Sequence, residues 1–184
     1  MLPPCPFGQA FLKEVYMLEI GDYIVKVGEG VCRVDSEITM KVPGGSDEIS
    51  YYLLVPVYDP RIKVYLPKTG SYEKTEVRPV MSTEEAKKLV HSVNEIQAAE
   101  VPNEKLREET YKEAIRSCEP DKLVSIIKHM YLRSVERQAQ GKKNTAMDDR
   151  YFAMAEKALY SELGFVLHKS DAEVRALIKE TAEG

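Results

Sequence analysis

The chain has 184 residues, 43% of them hydrophobic and 30% charged, with a formal net charge of −4. That length accommodates one domain or two small ones, and the composition supports a packed core and excludes an intrinsically disordered chain. No apolar run approaches the length of a bilayer span, and the slight excess of acid argues against nucleic-acid binding through bulk electrostatics while leaving room for a local basic patch.

The N-terminal stretch "MLPPCPFGQAFLKEVY" lacks the charged start, long apolar centre and small-residue cleavage site of a signal peptide. Residues 1–16 read as an extension, and Met17 reads as an alternative start. The three cysteines, Cys5, Cys32 and Cys118, are far apart and odd in number, as expected of reduced thiols in the cytosol. There is no CxxC pair, and His91, His129 and His168 are not at ligand spacing, so neither a metal nor any other cofactor is expected.

From residue 22 to about 80 the pattern predicts short strands. "DYIVKVGEGVCRVDSEITMKV" is rich in β-branched residues and broken by Gly28 and Gly30, a turn or bulge signal. "PGGSDE" predicts a polar loop or hairpin tip. "YYLLVPVYDPRIKVYLP", residues 51–67, predicts two strands around a tight turn. In the second, Ile62, Val64 and Leu66 alternate with Lys63 and Tyr65, one face apolar and the other wet. Pro56 donates no ladder hydrogen bond and places its strand at an edge or a bulge. "TEVRPVM" supplies a last short strand. About five short strands in so few residues suggest a small, partly open barrel.

After Met81 the chain predicts five helices joined by short loops. The first begins at Ser82 with Glu85 in a capping box, or at Thr83, with Leu89, Val90, Val93 and Ile96 on one face. The second starts near Pro102 with Asn103 as its cap. The third starts at Pro120 or Asp121 and stops at Gly141, with Leu123, Ile126, Ile127, Met130, Tyr131 and Val135 as its apolar stripe. The fourth turns Phe152, Ala155, Leu159 and Leu163 inward and stops at Gly164; the fifth begins at Ser170 or Asp171.

No nucleophile motif or phosphate loop is present, and the chain reads as a non-enzyme with no small-molecule substrate and no membrane partner. "VGEGVCRV" has no third glycine and leads into a strand, so it reads as a β-turn, with Cys32 as a core thiol. His129 reads as a packing residue, and Asp148 with Asp149 as first-turn acids favouring the helix dipole. "GKKN", with Lys142 and Lys143, reads as a solvated basic loop or as a phosphate contact. Residues 1–81 carry 9 basic and 11 acidic groups and the remainder 17 and 19, so a nucleic-acid surface requires segregation onto one face.

Strands first and helices second, in this order and size, resemble the CarD family of bacterial transcription regulators. "IGDYIVKVGEGVCRV" resembles the family's opening strand, and "YYLLVPVYDPRIKVYLP" its central hairpin. "YKEAIRSCEPDKLVSIIKHMYLRSVER" and "AEKALYSELG" resemble its helical segments, the likeness running from about Met17 to Leu177. The first part is also similar to the polymerase-interacting module of transcription-repair coupling factors.

The resemblance implies an α+β chain of two domains: a Tudor-like β-barrel at 17–80, then an all-α domain at 81–184. In the family the barrel docks on the RNA polymerase β subunit, partly through an exposed strand edge, which here falls on Ile62–Leu66 with Lys63 and Tyr65 outward and Arg61 nearby. The family commonly has arginines where Tyr65 and Met40 stand. Its helical domain touches promoter DNA at the upstream edge of the transcription bubble, where a tryptophan wedges against the minor groove. This chain has no tryptophan; aligning Tyr111 and Lys112 puts Arg107 at that position, beside Leu106. Lys112 and Arg150 match basic positions of the family. The implied function is stabilisation of the open promoter complex; the alternative is a polymerase-bound adaptor whose helices hold a second protein.

Overall fold

The computed structural model describes residues 18–41, 48–68 and 77–183. The expected extension with its alternative start at Met17, and most of the expected tip at 43–48, lie outside them. The chain is α+β. Strands β1 (Tyr23–Lys26), β2 (Gly30–Lys41), β3 (Glu48–Pro56), β4 (Val64–Pro67) and β5 (Val77–Pro79) precede helices α1 (Thr83–Ser92), α2 (Arg107–Ser117), α3 (Pro120–Ala139), α4 (Ala146–Leu167) and α5 (Asp171–Glu183).

The strands form one antiparallel sheet in the order β4-β3-β2-β1-β5. Among the described residues no ladder joins β4 to β5, so the sheet is open and these two strands are its edges. The β1–β2 turn is closed by the Glu29 N–H on the Lys26 carbonyl at 3.1 Å, as the two flanking glycines require. Gly30 has φ +77, a backbone conformation that strains any other residue, and a Cβ there would stand 2.9 Å from Ser161 Oγ on α4, which would have to turn aside. The ladder of β2 on β3 shifts register between Val34 and Ser36, which leaves Asp35 as a bulge. Pro56 opposes Cys32 at the end of β3, past the stretch that β4 covers, so its missing N–H costs no ladder bond.

Short-range hydrogen bonds decide most helix starts. Ser82 and Glu85 form the expected capping box, with the Ser82 N–H on the Glu85 carboxylate at 2.7 Å and the Glu85 N–H on Ser82 Oγ at 3.2 Å. Ser170 and Glu173 bond reciprocally in the same way ahead of α5. Pro120 stands at the first position of α3, where its lack of an N–H is harmless. Asn103 differs from expectation. Its Oδ1 accepts from the N–H groups of Lys105 and Leu106 at 3.0 and 3.1 Å, which closes a turn, and the helix itself begins only at Arg107.

Two further expectations are corrected. Gly164 does not stop α4, which continues to Leu167 and ends on His168 at φ +54. Gly164 is instead a point of close approach: a Cβ there would meet the Lys169 carbonyl oxygen at 2.7 Å and the Tyr58 hydroxyl at 3.2 Å. Tyr131 and Val135 do not join the buried stripe of α3; with Leu132 they are 48–60% exposed. The segment after α1 covers the preceding turns of that face, through the Ala99 N–H on the Ser125 carbonyl at 3.0 Å and Lys128 Nζ on the Ile96 carbonyl at 2.7 Å. Further along α3 the segment reaches only His129, through the Ala99 carbonyl, and Arg133, through Glu104, and leaves Tyr131, Leu132 and Val135 exposed.

Apolar burial is divided three ways. Ile24, Cys32, Val34, Tyr52, Leu54 and Leu66 pack on one face of the sheet. The helices share a larger cluster around Tyr111, Leu123, Ile126, Leu159 and Leu163. Val25, Val31 and Cys118, with Phe165 packed against them, join sheet to helices. No helix among the described residues is long and apolar enough to cross a membrane.

Candidate functional site

The first candidate surface is the free edge of the sheet. The Lys68 N–H donates to the Ser50 carbonyl at 2.8 Å, making that an inward-bonded pair. Antiparallel ladders alternate, so Leu66 opposite Tyr52 and Val64 opposite Leu54 also bond inward. Tyr65, opposite Leu53, then turns its backbone N–H and C=O away from β3 to the open side, and Pro67 ends the edge by having no N–H to offer.

Side chains on this surface fall on one face. Residues directly opposite one another share a face, so Tyr65, Leu53, Tyr51, Ile38, Ile49 and Met40 lie together. Toward β1 the same face is covered by the helices through Val25 and Val31; toward β4 it is open, with Tyr65 47% exposed and Met40 38% exposed. The structure therefore brings Met40 and Tyr65 to one face, about 13 Å apart along β3 at 3.3 Å per residue. Lys63 is exposed just before β4. Arg61 is in the preceding turn, its guanidinium bound to the Asp59 carboxylate at 2.8 and 2.9 Å, and that hydrogen bond holds the Asp59 carboxyl below its usual range. Ile62 is a correction: it precedes β4 and is exposed, because the strand starts two residues later than the alternation suggested.

The second candidate surface is formed by α2 and α4. Lys112 and Arg150 both approach Glu108, at 3.2 and 3.7 Å. The Tyr151 hydroxyl donates to the same carboxylate at 2.9 Å, and that bond, followed by Lys112, keeps the Glu108 carboxyl below its ordinary value. Arg150 also stacks over the Tyr151 ring at 4.6 Å. Leu106 is exposed at the head of α2. Lys142 and Lys143 are exposed in a loop held back against α3, where Arg137 Nε and Nη2 donate to the Lys143 carbonyl at 3.0 and 2.8 Å.

Arg107 is not on this surface. It is 8% exposed and turned inward, paired with Glu104 and standing 3.3 Å from the Asp148 carboxylate. Arg133 from α3 completes the group, bonding Glu104 at 2.6 Å and lying 3.4 Å from Asp148. Thr145 Oγ1 donates to Asp148 at 2.7 Å, and the fully buried Tyr111 donates to it at 3.2 Å. Burial works to raise the Asp148 carboxyl, but the Thr145 hydroxyl, Arg107 and Arg133 outweigh it and hold it below the usual carboxylate range. Burial, with the Asp148 charge, pushes the Tyr111 hydroxyl up to about 12. Asp148 is thus more than a first-turn acid: from α4 it is the shared counter-ion of Arg107 on α2 and Arg133 on α3. The sequence signal for this was the T-x-x-D spacing of Thr145 and Asp148, which marks a cap and is silent about what else the carboxylate meets.

His129 packs as expected, its ring 6.0 Å from that of Tyr111 and its Nδ1 2.9 Å from the Ala99 carbonyl oxygen. Cys32 is fully buried, and burial pushes its thiol up to about 12. A cleft of about 130 Å³ lies between the β1–β2 turn and the α2–α4 pair, lined by Glu29, Ile115, Met154, Lys157 and Ser161. Among the described residues no group of three His, Cys, Asp or Glu side chains is placed to hold a metal ion. No family model matches the chain, and no curated protein matches it.

Proposed function

We propose that this protein is a CarD-like bacterial transcription regulator that docks on the RNA polymerase β subunit through β4 and places α2 and α4 against promoter DNA at the upstream edge of the bubble. The observation that carries this reading is the free edge: Tyr65 turns a backbone donor and acceptor to a side that no strand among the described residues covers, with its side chain and Lys63 there and Met40 further along the same face. A partner strand can complete those bonds. In this reading the sheet is the open part of a Tudor-like barrel, and sheet and helices are two modules with cores of their own. Lys112, Arg150 and Leu106 are the DNA-facing groups, with Lys142 and Lys143 at the margin; Arg107 organises the helices that carry them. Polymerase delivers the chain to the promoter, so a weak DNA contact gains effective concentration and an acidic net charge is no obstacle. The deciding experiment is capture of the β subunit by the full chain and by a folded Lys63→Glu, Tyr65→Ala variant. Loss of capture is expected; capture at the wild-type level sinks the reading.

The bare face of α3 favours a second reading, in which the helices hold another protein. Tyr131, Leu132 and Val135 form a contiguous apolar surface one turn long. Crosslinking from Lys112 to promoter DNA within a polymerase complex supports the first reading. Crosslinking only to protein, lost when Tyr131 and Leu132 become serine, supports the second.

A further inference from the structure

Sheet and helices are pinned together at one short stretch of α4. Glu162 is 0% exposed and accepts from three donors: both terminal nitrogens of Arg78, one at 2.7 Å, and the Met81 N–H at 2.9 Å. Arg78 directs two further N–H groups elsewhere: Nε donates to the Cys118 carbonyl at 2.6 Å and Nη1 also to the Pro79 carbonyl at 2.9 Å. One guanidinium thereby ties strand β5, the α2–α3 junction and the C-terminal part of α4. At the adjacent residue the Tyr58 hydroxyl, from the β3–β4 connection, donates to the Ser161 carbonyl at 2.8 Å. Around these ties Tyr23 packs on Phe165 with ring centroids 4.9 Å apart.

We propose that the Arg78–Glu162 fork is a positioning device that sets one fixed orientation between the free β4 edge and the Lys112–Arg150 surface. It rests on the functional reading above and adds to it the requirement that the two surfaces be presented at a single spacing. A planar guanidinium bonded to both oxygens of a buried carboxylate resists rotation as well as separation. The two ties come from opposite edges of the sheet, Arg78 on β5 and Tyr58 beside β4, so together they oppose both tilting and sliding. A contact that has to reach polymerase and DNA at once gains from such stiffness, because effective concentration falls when the two sites wander.

The test uses the full chain with Cys5→Ser and spin labels at Lys63→Cys and Lys112→Cys, both exposed or half-exposed positions. The probe variant is the double replacement Arg78→Met, Glu162→Met, which leaves no lone charge buried. The expected result is one narrow label-to-label distance with the fork intact and at least a doubling of its width without it. Open-complex lifetime is expected to fall several-fold in the unlabelled double variant while β-subunit affinity stays within twofold. Should the double variant fail to fold, Arg78→Lys takes its place, since an ammonium cannot bond both carboxylate oxygens and the Cys118 carbonyl in the same geometry. An unchanged distance width overturns the proposal, and so does a broadened distance with an unchanged lifetime. If the wild-type chain binds no polymerase, the functional reading falls, and the distance measurement still decides the orientation set by the fork.

Discussion

Arg107 lies with its Nε 3.3 Å from Asp148 Oδ1, sealed between α2 and α4, although its position at the head of α2 suggested an outward, DNA-facing side chain. The Nε has no hydrogen-bond acceptor of its own, so the pair is held by charge and by the surrounding Glu104, Arg133 and Thr145. Replacing Asp148 with alanine leaves the buried Arg107 guanidinium only the exposed Glu104 carboxylate as counter-ion and is expected to cost up to about 3–5 kcal/mol, a large part of the roughly 5–15 kcal/mol typical of a domain. Urea unfolding at neutral pH checks this; a loss below about 1 kcal/mol contradicts a buried-pair role. The Asp148 carboxyl is depressed, so its contribution is complete above the ordinary carboxylate value of about 3.9 and is lost as pH falls through its lower folded value. Acid unfolding is therefore expected to be less steep below about pH 4 in an Arg107→Met, Asp148→Leu variant.

His129 has the same sign by a different cause. Burial, working against the bond to the Ala99 carbonyl, moves its imidazole below the ordinary value, and its Nε2 is buried with no acceptor for a second proton. The charged groups facing it are Arg133, Arg107 and Asp148, of which the two cations disfavour protonation and the carboxylate favours it. The neutral form thus stabilises the fold above about pH 6.5, and this stability declines as pH falls below that value. Denaturation midpoints measured from pH 7.5 to 5 should fall more in the wild type than in His129→Asn, and parallel slopes would count against it.

Tyr65→Pro separates edge pairing from folding. The Tyr65 N–H faces the open side of β4, so its loss breaks no ladder bond, and edge strands tolerate proline. The expected outcome is a melting temperature within a few degrees of wild type and β-subunit affinity reduced at least tenfold. Wild-type affinity would mean that polymerase does not use the backbone of this strand.

Gly164→Ala is expected to be far from neutral although alanine is the better helix former. The new Cβ would meet the Lys169 carbonyl oxygen at 2.7 Å, and backbone cannot yield cheaply. The C-terminal end of α4 or the Tyr58 tie must move, at about 1–3 kcal/mol. Unfolding free energies of Gly164→Ala and wild type decide it; equal or greater stability in the variant would rule out the close approach.

Lys112→Ala with Arg150→Ala probes DNA without disturbing the core. Each cation that neutralises a phosphate contributes a salt slope of about −0.9 on B-DNA. Both cations share Glu108, which competes with phosphate, so the double change is expected to reduce the slope of promoter association by about 1 to 2, with β-subunit binding kept. An unchanged slope would move the reading toward the protein-binding alternative.

Local chemistry was legible from the sequence alone. Ser82 with Glu85, Pro120 and the glycines around residue 29 act through hydrogen bonds and dihedral limits reaching no further than a few residues, so their neighbours in the chain suffice to place them. Alternation likewise marked Val64, Tyr65 and Leu66, because a strand's two faces follow directly from its pleat. Only the tertiary structure decided that Arg107 turns inward to Asp148, that Arg78 grips Glu162, and that Tyr131 and Val135 stay bare. Each of these depends on which distant segment lies alongside: a guanidinium at a helix end has the same local sequence whether it meets water or a carboxylate from another helix. Exposure is likewise a property of what covers a residue, and on α3 the segment after α1 bonds Lys128, His129 and Arg133 yet leaves the apolar side chains of Tyr131, Leu132 and Val135 uncovered.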